Sequence, residues 1–225
     1  MTELITIPPS SALIFVDMNR SHLDHEVGHL LVERGAAREI IERGARVREA
    51  WRAAGLPVIF IRTHHRWNPE TGEIIDNRNP FWLDQHNKPI PGLQKKRKSI
   101  AVEGSAVTEI VPELAPKADE MTVFKHRYSP FHNTDLELLL KNLGTDTVFV
   151  CGVNTNNCVL CTCFDAFNRD FRVFLIEDVC ASMNGPDYHD AALKLIRSSL
   201  GITIDSDTLI RKLAQFASEP KSTVA

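Results

Sequence analysis

The sequence predicts an α/β fold: a three-layer, doubly wound, mostly parallel sheet of six strands with helices on both faces. Three observations carry the prediction. Short apolar runs recur along the 225-residue chain, as they do in strands buried on both faces. Between several of them lie stretches whose apolar residues fall at helical spacing. The resulting β-α-β alternation builds a parallel sheet.

The first strand is "SALIFVDM" (11–18), apolar and closing on an acid. A helix follows over 33–54, where Ala37, Ile40, Ile41, Val47, Trp51 and Ala54 share one face and Arg and Glu fill the other. Gly55 and Pro57 stop it. "PVIFIRT" (57–63) is the second strand and "EMTVFKH" (120–126) the third. Thr134 and Glu137 have the spacing of a capping box, so "DLELLLKNLG" is a helix ended by Gly144. "DTVFVCGV" (146–153) is the fourth strand, and a helix runs from there to about 168. "FRVFLIED" (171–178) is the fifth; Pro186 opens another helix, and "GITID" (201–205) is a short sixth strand.

One stretch, 64–104, is irregular and too long for a plain connection. It holds Trp67, Pro69, Pro80, Phe81, Trp82, Pro89, Pro91 and the basic run "KKRK" (95–98). Aromatic side chains are costly to leave in water, so this insertion is expected to cover a substrate or contact a subunit; the basic run reads as a solvated charge cluster. Neither repeats nor a domain boundary interrupt 1–225, which is read as one domain.

A net charge of −3 and an apolar share of 43 % give no reason to expect nucleic-acid or membrane partners. The start does not read as a signal peptide, and no apolar run approaches the roughly 20 residues of a membrane span. The five cysteines are Cys151, Cys158, Cys161, Cys163 and Cys180, an odd number and a poor disulfide framework. A cytoplasmic location is the simplest setting.

In a parallel sheet, ligands sit beyond the carboxyl ends of the strands. Those ends carry Asp17, then Thr63 with His64 and His65, then Lys125 with His126, then "GVNTNN" leading to Cys158, then Glu177 and Asp178. Cys151 lies in an apolar strand and reads as core. Thr155 is a good N-cap, which puts Cys158 in the first helical turn, where free N–H groups favour a thiolate. Zinc binding and a redox pair are alternatives for C-x-x-C-x-C; packing fits Cys161 and Cys163 better. A lysine beside a thiolate depresses its pKa, and a nearby carboxylate can carry a proton. "HLDHEVGH" (22–29) places His25 and His29 at i, i+4, but is read as surface or pocket polarity rather than a metal site.

With these residues in place, "ALIFVDMNRS", "VFKHRYSPFHNTDLE" and "VFVCGVNTNNCVLCTCFDAFNRDFRVFLIEDVCAS" resemble the isochorismatase-like cysteine hydrolases, over nearly all of 10–205. That family hydrolyses C–N bonds of small amides, carbamoyl and ureido compounds. The resemblance implies an Asp-Lys-Cys triad at Asp17, Lys125 and Cys158. It also implies a cis peptide between Val153 and Asn154, and an oxyanion hole from the N–H groups of Asn154 and Cys158. The nicotinamidase branch has a metal site with an aspartate where Thr63 stands here, so no metal and no cofactor is expected. Asn19, His65, Trp82, Phe131 and Cys161 are the expected substrate contacts, with Trp82 and Phe131 placed to stack on a flat ligand. The family often forms dimers or tetramers, so a homo-oligomer is expected. The expected activity is amide hydrolysis through a thioester. The competing readings are a vinyl-ether hydrolase using Asp17 without a covalent step, and a scaffold or redox module.

Overall fold

The computed structural model describes residues 6–71, 73–87 and 101–218. Six parallel strands form one sheet in the order β3-β2-β1-β4-β5-β6. They are β1 (Ser11–Val16), β2 (Val58–Thr63), β3 (Met121–Lys125), β4 (Thr147–Val153), β5 (Arg172–Ala181) and β6 (Ile202–Ile204). The helices are α1 (Arg20–Leu23), α2 (Arg34–Ala53), α3 (Pro80–Asn87), α4 (Leu136–Asn142), α5 (Leu160–Phe167), α6 (Pro186–Ser199) and α7 (Ser206–Ser218). None of the described helices is long and apolar enough to cross a membrane.

β1 and β4 lie at the centre, buried at every position, which is why both read as unbroken apolar runs. Helices α2 and α7 pack together on one face, α5 and α6 on the other. The strand order reverses between β1 and β4, and a crevice opens at such a reversal, outside the carboxyl ends. At this seam Gly152 has φ +122°, and a Cβ there would come within 2.0 Å of the Val16 carbonyl oxygen. Only glycine lets the two central strands close here.

Helix α2 begins as its spacing predicts, with the Glu33 carboxylate accepting the Ala36 N–H at 2.9 Å. The capping box does not form. Asp135 is the N-cap of α4, and the Thr134 hydroxyl accepts the Leu136 N–H at 3.2 Å while donating to the Pro130 carbonyl. Glu137 turns instead to Lys141 at 2.6 Å and Arg169 at 2.8 Å. Two cations outcompete one backbone N–H for its carboxylate.

The described part of the insertion after β2 carries local structure. His65 bridges to Val102 and Trp67 to Ile74, and α3 carries Phe81 and Trp82. "KKRK" (95–98), Pro89 and Pro91 lie outside the described residues. In the "HLDHEVGH" stretch the helix stops at Leu23, so His25 and His29 do not share a helical face. His25 Nε2 lies 3.0 Å from the Val32 carbonyl.

Candidate active site

Asp17 follows β1 directly, and its φ of 50° is a left-handed conformation that Asp tolerates better than most residues. That turn folds the carboxylate back over the sheet end. Its Oδ1 accepts from the Thr63 N–H and hydroxyl, each at 2.8 Å, and its Oδ2 pairs with Lys125 Nζ at 2.9 Å. Lys125, the last residue of β3, also donates to the Thr63 hydroxyl at 2.7 Å, the Arg127 carbonyl at 3.0 Å and the Cys158 sulfur at 3.2 Å. Asp17, Lys125 and Cys158 are 0, 1 and 7 % exposed. All three line one cavity of about 690 Å³.

Cys158 does not sit in an ordinary first turn. Residues Thr155–Val159 form a π-helical turn capped by Asn154, and α5 starts only at Leu160. The peptide bond between Val153 and Asn154 is cis. The Thr155 hydroxyl lies 2.9 Å from His189 Nδ1 and caps nothing. Side chains fasten this turn to the segment after β5. Asn154 Oδ1 accepts the Met183 N–H at 2.8 Å, Asn156 Oδ1 accepts the Ser182 hydroxyl at 2.7 Å, and Asn156 Nδ2 donates to Asn184 at 3.2 Å. Widened π turns are frequent at functional sites; here one lifts the sulfur toward Lys125.

The electrostatics differ from the expected preformed thiolate. Burial pushes the Asp17 carboxyl up, but the charge of Lys125, together with the other nearby charge and the hydrogen bonds from Lys125 and Thr63, outweighs it and holds the carboxyl below the usual carboxylate value. Burial penalises the Lys125 ammonium, and Asp17 and Cys158 outweigh it, raising its pKa. The Cys158 thiol is pushed up to about 12, chiefly by burial, with Lys125 opposing and Asp17 adding to the rise. Burial outweighs the field of Lys125 at the sulfur, and the Asp17 carboxylate adds to the penalty on a thiolate. The resting state is therefore carboxylate, ammonium and thiol, with the thiol hydrogen-bonded to the ammonium that the carboxylate holds in place.

The other expected contacts divide. His65 and Trp82 line the cavity, their rings 4.9 Å apart. Asn19, Phe131 and Cys161 are not among the lining residues. Asn19 is fully buried, caps α1 and accepts the Ser21 hydroxyl at 2.7 Å. Phe131 packs on Phe171 under the Arg169 guanidinium, because the chain turns its ring into the core below α4. Cys161 stands one turn beyond Cys158, half-buried, and burial raises its pKa. Asp178 serves the scaffold, accepting the N–H and hydroxyl of Ser206 at the start of α7, at 2.8 and 2.6 Å. Sequence reasoning passes over Ser21, Arg127 and Tyr188 in the lining. Arg127 has a signal, two residues beyond the strand-end lysine.

Among the described residues, His65, Asp76 and His126 could hold a metal ion, with their ligand atoms within 4.8 Å of one another. Their contacts are those of hydrogen bonds. His65 Nδ1 lies 2.9 Å from one Asp76 oxygen and His126 Nδ1 2.9 Å from the other; His126 Nδ1 also meets the His64 carbonyl at 2.7 Å. An atom facing two acceptors carries a proton, so a cation there would have to displace it. Thr63 is committed to Asp17 and Lys125.

Comparison with known proteins places the chain in a family. The Isochorismatase domain description matches residues 11–208. The chain belongs to the isochorismatase family. It is 32 % identical over 226 residues to the ureidoacrylate amidohydrolase RutB of Yersinia enterocolitica, covering 96 % of this chain and 94 % of that one. Its fold superposes on a cysteine hydrolase from Pseudomonas syringae with a TM-score of 0.78, at 27 % identity, covering 94 and 96 % of the two chains. N-carbamoylsarcosine amidase from Thermoplasma acidophilum gives 0.67, at 26 % identity and 88 and 96 % coverage. Within this isochorismatase-family cavity, His22 sets a stability expectation of its own. Its imidazole is 7 % exposed, with Nδ1 2.8 Å from the Leu30 carbonyl. Burial lowers its pKa despite the opposing charge of Asp17. Below about pH 6.5 the unfolded chain binds a proton at this residue that the folded chain refuses. Stability is thus full above that pH and falls as pH drops toward the folded value. One such group contributes a slope of at most about 1.4 kcal/mol per pH unit. Urea midpoints at pH 7.5 and 5.5 should differ less in His22→Gln than in the wild type; equal differences exclude the assignment.

Proposed function

We propose that this isochorismatase-family chain is an amidohydrolase that cleaves a C–N bond of a small amide, carbamoyl or ureido substrate through a thioester on Cys158. The observation that carries the reading is the chain of contacts at the cavity wall. Cys158 sulfur lies 3.2 Å from Lys125 Nζ, itself 2.9 Å from the Asp17 carboxylate. The relatives named as amidohydrolases support the reaction class.

As the sulfur attacks the substrate carbonyl, its proton passes to Asp17, and C–S bond formation opens the carbonyl to an oxyanion. The N–H groups of Asn154 and Cys158 are the donors we assign to that oxyanion. Lys125 keeps its proton throughout, offsetting negative charge on the sulfur and on Asp17. Asp17 then gives its proton to the leaving nitrogen as the C–N bond breaks. A water, losing a proton to Asp17, attacks the thioester; the acid product leaves and the thiol regains its proton. Proton uptake coupled to attack suits a thiol that rests protonated.

The same reading takes the chain as one catalytic domain, in a reducing cytosol that keeps its five cysteines free, and assembled as a dimer or tetramer. The test is ammonia release from a panel of nicotinamide, carbamoyl amino acids, biuret, maleamate and ureidoacrylate. At least one should be turned over, and iodoacetamide on Cys158 should stop it. Turnover that survives complete alkylation excludes the thioester and favours the ether-hydrolase chemistry.

A further inference from the structure

We infer that Arg127 is the recognition group for a carboxylate on the substrate, so that the molecule cleaved at Cys158 is an anion. The inference rests on the amidohydrolase reading and narrows it.

Among the described residues Asp17 is the one acid lining the cavity, and Lys125 neutralises it at 2.9 Å. Burial keeps His22 and His65 below their ordinary pKa, hence neutral at neutral pH. The guanidinium of Arg127 is a permanent cation on the same wall. Its Nη1 donates to the carbonyls of Asp76 at 2.8 Å and His126 at 2.7 Å. Among the described residues no carboxylate pairs with it. Asp76 offers Arg127 its main-chain carbonyl. The Asp76 carboxylate is spent on His65, His126 and the Arg66 N–H, at 2.9, 2.9 and 2.7 Å.

The guanidinium is thereby fixed by two carbonyls and has no carboxylate partner of its own among the described residues. The donors on Nε and Nη2 remain, a planar fork matched to a carboxylate. A half-buried cation without a counter-ion is costly, and an anionic ligand relieves that cost on binding. The placement suits a short substrate, because the Arg127 carbonyl itself accepts from Lys125 Nζ at 3.0 Å. A carboxylate held by Arg127 and a carbonyl presented to Cys158 then belong to one small molecule.

The experiment compares ureidoacrylate with its uncharged methyl ester in the wild type, Arg127→Met and Arg127→Lys, scored by ammonia release. The expected ratio of kcat/KM, acid over ester, is about tenfold or more in the wild type. It should fall about tenfold or more in Arg127→Met, through KM, and stand between in Arg127→Lys. A fall in both substrates by the same factor makes Arg127 a tie for its loop and overturns the inference. If the wild type turns over neither compound, the fault lies with the ureido reading, and alkylation tests the anion site by itself. Iodoacetate and iodoacetamide are then compared at Cys158 by peptide mass. An anion preference about tenfold above that of free cysteine, lost in Arg127→Met, supports the site; the ratio of free cysteine overturns it. Should Arg127→Met fail to fold, the wild-type and Arg127→Lys ratios decide by the same criteria.

Discussion

Cys158→Ala should lose at least about three powers of ten in kcat while folding normally. That corresponds to about 4 kcal/mol of lost barrier lowering. The sulfur is the cavity nucleophile that Lys125 contacts, and Lys125 and Asp17 lack it in this variant. Cys161→Ala and Cys163→Ala provide the contrast, because neither residue lines the cavity and Cys163 is fully buried on α5. Both should keep kcat within about threefold, Cys163→Ala with a modest loss of stability from the small void. Steady-state ammonia release, with circular dichroism as the folding control, separates the three. Comparable losses in Cys158→Ala and Cys161→Ala would mean that the pair, and not one atom, does the chemistry.

Lys125→Met is expected to damage folding as well as activity. The ammonium is 1 % exposed and faces a carboxylate that is 0 % exposed. Removing it strands an anion whose other partners are the N–H and hydroxyl of Thr63. Breaking one side of a buried pair costs about 3–5 kcal/mol. Asp17→Asn removes the other charge and should be destabilising too. The double variant Asp17→Asn/Lys125→Met carries neither charge and should recover much of the loss, giving a coupling of a few kcal/mol in urea unfolding. All three proteins should be inactive. Simple additivity of the two single losses would show that the pair is not a mutual dependence, whatever its 2.9 Å separation.

The pattern of the chain makes some of this legible and hides the rest. The strands show because β1, β4 and most of β2 are buried and cannot avoid apolar runs. Asp17, Lys125 and Cys158 stand out because each follows or ends such a run, where polar residues must reach the rim. Side-chain direction is another matter. Asn19 and Phe131 lie near the triad in sequence, yet short turns rotate them into the core, and residue spacing does not encode that rotation. The T-x-x-E spacing at Thr134 has the form of a cap, but Arg169, far away in sequence, claims Glu137. The thiol's state also depends on distance. A lysine near a cysteine suggests a thiolate, but burial of the sulfur, with the carboxylate beside the lysine, favours the thiol. Arg127 has a positional signal two residues beyond the strand-end lysine, but its importance lies in what Asp76 does not give it, which sequence alone does not show.

The order of the strands has a consequence for how such a protein is born. β4 starts at Thr147 and inserts between β1 and β5. During synthesis the residues ahead of Thr147 can pair β1, β2 and β3 but have nothing to occupy the far side of β1. Lys125 and Asp17 can meet in that half-built sheet, while the sulfur cannot be presented to them until β4 has slotted in and Gly152 has closed against Val16. Hydrolytic competence therefore cannot precede the insertion of β4. A chain halted before Thr147 carries no complete triad, and the onset of hydrolysis reports that the two halves of the sheet have joined.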